Sequence, residues 1–152
     1  MNDLRYRPKN NFIQTANWQE LFTLTEHWKS DLLFYKDDLR FLHKLIDNYF
    51  MYVSKKENID SVLDIEVNLL KVDKQCASLL KNTNEHLHYI TEFIDNPFAG
   101  HSAQFRTDHE NLEEAFTEFV KDFRKNRKDV FGITEHIINV EELVRRLNII
   151  ST

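Results

Sequence analysis

The side chains best suited to chemistry in this chain are its seven histidines. Two of them, His86 and His109, fall where helical periodicity points them inward. With Thr25, Thr83 and Asn126 they are the polar residues that interrupt otherwise apolar stripes. An inward imidazole can ligate a metal, bind a small molecule, or hydrogen-bond to another buried group. Four His-x-x-x-Asp/Glu pairs, His27/Asp31, His43/Asp47, His88/Glu92 and His109/Glu113, favour a metal site inside a helical bundle at first sight. Yet these pairs sit at different heights and on different faces, and i,i+4 pairs stabilise any solvated helix by about 0.2–0.5 kcal/mol. A ferritin-type di-iron site needs two Glu-x-x-His repeats, and the chain has only Glu85/His88, which faces outward. No carboxylate accompanies His86 and His109 on the inward stripe, whereas zinc and iron take three or four protein ligands. The expectation is therefore a buried, hydrogen-bonded layer of Thr25, Thr83, His86 and His109 that fixes helix register. No cofactor is expected, and a metal site would rest on His86 and His109 alone.

Other chemistry is scarce. Cys76 stands alone, which excludes an internal disulfide and a Cys-based zinc cluster and suits a reducing compartment. It reads as an inert core thiol with no neighbouring base. There is no HExxH, no phosphate-cradling glycine loop, no Ser/His/Asp order and no inward pair of carboxylates to divide acid and base roles. No catalytic residues are assigned, and catalysis is not the expected activity. The run 121–128 is rich in Lys and Arg, but Phe123 and Asn126 within it face the core. Its cations wrap around a helix rather than tile one face, with Asp37 and Asp38 at the matching level, so nucleic acid is not an expected partner.

These residues are positioned by helices. Glycine and proline number two each in 152 residues, about 3% against roughly 12% in average proteins. Such sparse turn punctuation excludes a many-stranded sandwich or barrel. Trp18, Leu21, Thr25, Trp28, Leu32, Tyr35, Leu39, Leu42, Ile46, Tyr49 and Val53 follow alternating steps of three and four. The same period runs from Val62 to Phe93 and from Phe105 to Leu147. The fold class is all-α: an antiparallel coiled-coil-like bundle of three long helices, about 17–53, 58–95 and 102–149. Asn17 and Glu20 form a capping box for the first, and Asn96-Pro97 ends the second. The third starts at Ser102 or one turn later, at the Thr107/Glu110 box. If the third helix breaks near Gly132, four helices result; the unshifted heptad phase through that glycine favours three. Residues 1–16 read as a flexible arm, and 17–152 as one helical-bundle domain.

Antiparallel packing about connections near residues 56 and 98 sets His86 and His109 level with residues 26 and 25 of the first helix, beside Thr25. The two rings are expected within reach of each other, and either His→Ala change is expected to cost more than one at a surface site such as His43. Asn126 is a separate, isolated exception that reads as a register device.

Charge and hydropathy complete the picture. Twenty Lys and Arg against 25 Asp and Glu give a net charge of −5. No apolar run is long enough to span a membrane, and neither a secretory signal nor a lipidation motif is present, so a cytoplasmic chain is expected. The expected function is that of an interaction or scaffold protein that binds a protein partner or itself, with a homodimer as the first expectation; the alternative is a metal- or small-ligand-binding bundle built on the histidine layer. Phe34 and Phe41 lie off the core stripe of the first helix, where solvent is expected. The third helix should outrun the first by about ten residues, carrying Leu143, Leu147 and Ile150 with it. A two-fold dimer through Phe34, Phe41, Leu143, Leu147 and Ile150 would cover both features.

Overall fold

Heptads sustained over three segments become three long helices packed against one another. The computed structural model describes residues 12–50, 56–97, 100 and 102–151, with the side chains of 12, 14, 56, 57, 140–144 and 146–151 outside that description. A short helical turn, α1 (Phe12–Thr15), precedes α2 (Trp18–Phe50), α3 (Lys56–Asp95) and α4 (Ser102–Ser151). There is no strand among the described residues. Residues 1–11 of the expected arm and Val53 of the first stripe lie outside the described residues.

Local chemistry sets the ends. Asn17 Oδ1 accepts the Glu20 N–H at 2.8 Å, while the Asn17 N–H donates to Glu20 Oε1 at 3.2 Å. This reciprocal box satisfies two donors that the first turn of α2 would leave open. The start of α4 is at Ser102; Thr107 sits inside the helix, its hydroxyl donating to Ala103 O. The α4 helix also runs unbroken through Gly132, so the four-helix alternative does not form. A Cβ added at Gly132 meets nothing within 4 Å. Gly132→Ala should therefore stabilise the protein by about 1 kcal/mol, the ordinary Gly-to-Ala difference in a helix interior. Urea unfolding checks this; a loss of stability would mean that the glycine serves a packing role.

The chain divides into two compact units. In the first, built from residues up to Lys36 and Gln75–Val120, Leu21, Leu24, Trp28 and Leu32 of α2 face Ile90 of α3 and Phe119 of α4, all at 2% exposure or less. Full burial of such side chains contributes about 1.5–3 kcal/mol each. One end holds Ile13 and Ala16 against Leu21, Ile90, Phe93 and Phe105. Nothing in the periodicity signals the α1 turn, because four residues carry too little pattern. What holds it is Arg106, whose guanidinium donates to Ile13 O and Ala16 O and lies 4.2 Å over the Trp18 ring.

In the second unit, built from Asp37–Lys74 and the chain from Lys121, the core is Leu39, Leu42, Ile46, Val62, Leu69 and Val130. Asp38 accepts from Arg127 Nε, and Phe41 lies 6.2 Å from Phe131. These two contacts run α4 parallel to α2 at an offset of about 90 residues. At that offset Phe50, the last described residue of α2, is level with about residue 140. The α4 helix continues to Ser151, about eleven residues and roughly 16 Å further at about 1.5 Å per residue.

Candidate functional site: a buried histidine pair

Four of the five residues that interrupt the stripes, Thr25, Thr83, His86 and His109, lie in the first unit. His109 is fully buried and His86 is 7% exposed; His86 Nε2 and His109 Nδ1 are 2.6 Å apart. One ring donates its N–H to the other across α3 and α4, the accepting nitrogen being unprotonated. The surroundings are aromatic. His86 stacks on Phe105 at 4.2 Å and 7°, and His109 lies 4.8 Å from Trp28. Trp18 in turn stacks on Phe93 at 4.6 Å. Burial in this apolar setting pushes the His86 imidazolium down to a pKa of about 4, although the carboxylate of Asp108 pulls the other way. His86 is therefore neutral at pH 7. Burial also lowers the Arg106 guanidinium from its ordinary value, and the two carbonyls it caps compensate its lost hydration.

Thr25 and Thr83 are buried in the same unit. The Thr25 hydroxyl donates to Leu21 O at 2.7 Å, one turn back on its own helix. That bond makes a buried hydroxyl tolerable without recruiting the histidines. Among the described residues, no group of three or more His, Cys, Asp or Glu side chains is arranged to hold a metal ion. Of the outward histidines, His88 is a surface group, 3.5 Å from Glu92 with both side chains well exposed.

One pairing was not legible from spacing. His43 bonds to Asp73 of α3 in a half-buried contact, rather than remaining a free surface ring. The i,i+4 pattern draws attention to Asp47, and only the packing of α2 on α3 reveals Asp73. Asn126 is buried in the second unit, and its Nδ2 donates to Ile65 O at 3.3 Å. Its Oδ1 has no hydrogen-bond partner among the described residues. A polar cleft of about 120 Å³ lies beside it, lined by Asn68, Lys71, Lys125 and Asp129 among others, and is large enough to admit water. Of the basic run, Arg127 is held by Asp38 at 3.2 Å and lies 4.6 Å over the Phe131 ring. Cys76 is buried, and its thiol donates to Leu32 O at 3.6 Å.

The residues expected at an interface divide in two. Phe34 and Phe41 are exposed, at 66% and 49%. The side chains of Leu143, Leu147 and Ile150 lie outside the described residues. No helix among the described residues is long and apolar enough to cross a membrane. Comparison of the chain with protein-family models, with curated proteins and with solved structures finds no significant match.

Proposed function

We propose that this chain is an interaction module that works by pairing with a second copy of itself through the second unit. The observation that carries this is the exposed apolar surface of Phe41 on α2 and of Phe131 and Ile138 on α4, a helix that runs on to Ser151. Its final segment is rich in apolar residues, with Val140, Leu143, Val144, Leu147 and Ile150 at helical spacing. An amphipathic helix gains most of its stability from packing its apolar face, and an isolated stretch of this length is marginal in water. Exposed apolar side chains also lie on the described part of this unit. Phe131 and Ile138 are seven residues apart on α4, Phe41 contacts Phe131, and all three are exposed. A second patch, Leu63, Val67 and Leu70, lies on one exposed face of α3. A monomer seldom leaves such patches open.

A symmetric dimer is the commonest way to cover a self-complementary face, and one of this composition would be obligate in character. Light scattering across a dilution series tests the reading. The expected result is a mass twice 18.3 kDa that persists to low micromolar concentration. Leu147→Glu should convert the protein to a monomer with lower helix content. A folded wild-type monomer at those concentrations overturns the proposal.

A further inference from the structure

The first unit carries a groove of about 410 Å³ between α3 and α4, separate from the surface invoked above. Its volume lies in the range of small-molecule sites, about 300–1,000 Å³. We propose that this groove binds a small organic cation, an ammonium carried on an apolar body about the size of one aromatic ring.

The lining states the chemistry. Phe105 and Leu112 are buried side chains that give it an apolar floor, and Ala115 leaves one wall short. Glu85 of α3 and Asp108 of α4 bring two carboxylates to it from opposite sides, and no Lys or Arg is among the lining residues. Asp108 accepts a hydrogen bond from Gln104 at 3.0 Å, a neutral partner that leaves its charge uncompensated by any cation there. Asn82 and Asn111 add carboxamides that can turn either end toward a ligand. Tyr89 is exposed at the rim, where its ring can face a cation.

His86 makes the groove more than an acidic patch. It lines the groove although nine-tenths buried, and its Nε2 is committed to His109 Nδ1. Its other nitrogen, Nδ1, takes no part in that bond. When His86 donates from Nε2, Nδ1 becomes an acceptor, and an N–H of the ligand would select that tautomer. The neutral ring adds no positive charge to oppose a cation. An anion would meet two carboxylates and no cationic donor, so charge selects against it. The size of the groove fits one small molecule rather than a folded segment of another protein.

The test is an NMR titration of the full chain at neutral pH, following the His86 ring. Three probes of matched shape are compared: phenethylamine, phenethyl alcohol and hydrocinnamate. The amine should give a saturable shift, with the alcohol about tenfold weaker or worse and hydrocinnamate without effect. Ala115→Phe, at an exposed position that fills the groove, should abolish the shift while circular dichroism stays unchanged. Glu85→Gln combined with Asp108→Asn should weaken amine binding about five- to tenfold, as expected for two partly screened charges. Absence of a saturable shift, equal binding of amine and carboxylate, or undiminished binding by Ala115→Phe would each overturn the proposal. The ring signal does not depend on oligomer mass, so it is independent of the self-association reading.

Discussion

Replacing His109 by alanine should lower stability by about 2–5 kcal/mol, whereas His88→Ala should stay within about 0.5 kcal/mol. Two costs combine at His109. Its ring is fully buried beside Trp28 and Phe105, so truncation removes packed atoms and leaves a cavity. It also strips His86 Nε2 of its partner, which costs about 1–3 kcal/mol for a buried polar group. His86→Ala should cost somewhat less, because that ring borders a groove into which its neighbours can relax. His43 is not a neutral reference for this series, since it bonds to Asp73. The comparison becomes sharper with His86→Leu/His109→Leu, which removes both members and fills the space. If the pair fixes register more than it stabilises, the double variant should lose less than His109→Ala alone. Urea midpoints with unchanged slopes measure all four. Equal losses at His86, His88 and His109 would remove the idea of a buried polar pair.

The heptad phase carried most of the architecture. Steps of three and four set which face of each helix is inward, and antiparallel packing then set which residues share a level. His86 and His109 could be placed side by side for that reason, and α4 could be taken through Gly132 because the phase did not shift there. Where a residue lies off the a/d stripe, the pattern is silent. Leu24, Leu87, Val120 and Thr134 are all buried on flanking positions that a two-position stripe does not include. Past Val130 the burial falls on Thr134 and Ile137, with Ile133 only half-buried. Thr134 satisfies its hydroxyl on Val130 O, so a polar residue there needs no partner from another helix. Contacts made by long side chains were also out of reach. Arg106 capping the α1 carbonyls and His43 meeting Asp73 depend on rotamers and on local crossing geometry, which spacing does not encode. The groove at His86 is of the same kind: side chains of two helices line it, and their local packing is not encoded in the spacing.

Acidification should cost the fold about 3 kcal/mol between pH 6.5 and pH 4 through His86 alone. An unfolded histidine titrates near 6.5, while burial brings His86 down to about 4 in the fold. Between those values the unfolded chain binds a proton that the folded chain refuses, so stability falls as pH falls. The contribution is fully present above about 6.5, declines toward 4, and levels off below it. The gap is about 2.5 units, and each unit corresponds to about 1.36 kcal/mol. Other groups bear on the size of the effect. Asp108 favours the charged ring, Glu85 lines the same groove, and His109 shares one hydrogen bond with His86. One proton added to the pair would still leave one N–H···N bond between the rings. The cost is that of burying a charge against Phe105, not of losing the contact. The clean comparison is the pH dependence of urea unfolding for the wild type and for His86→Gln. The glutamine variant starts lower, yet it should lack the extra decline between pH 6.5 and pH 4. Carboxylates elsewhere titrate in both proteins and cancel in the difference. Parallel curves across that window would mean that His86 takes up its proton in the folded state as easily as in the unfolded one, and the neutral, buried pair would have to be abandoned.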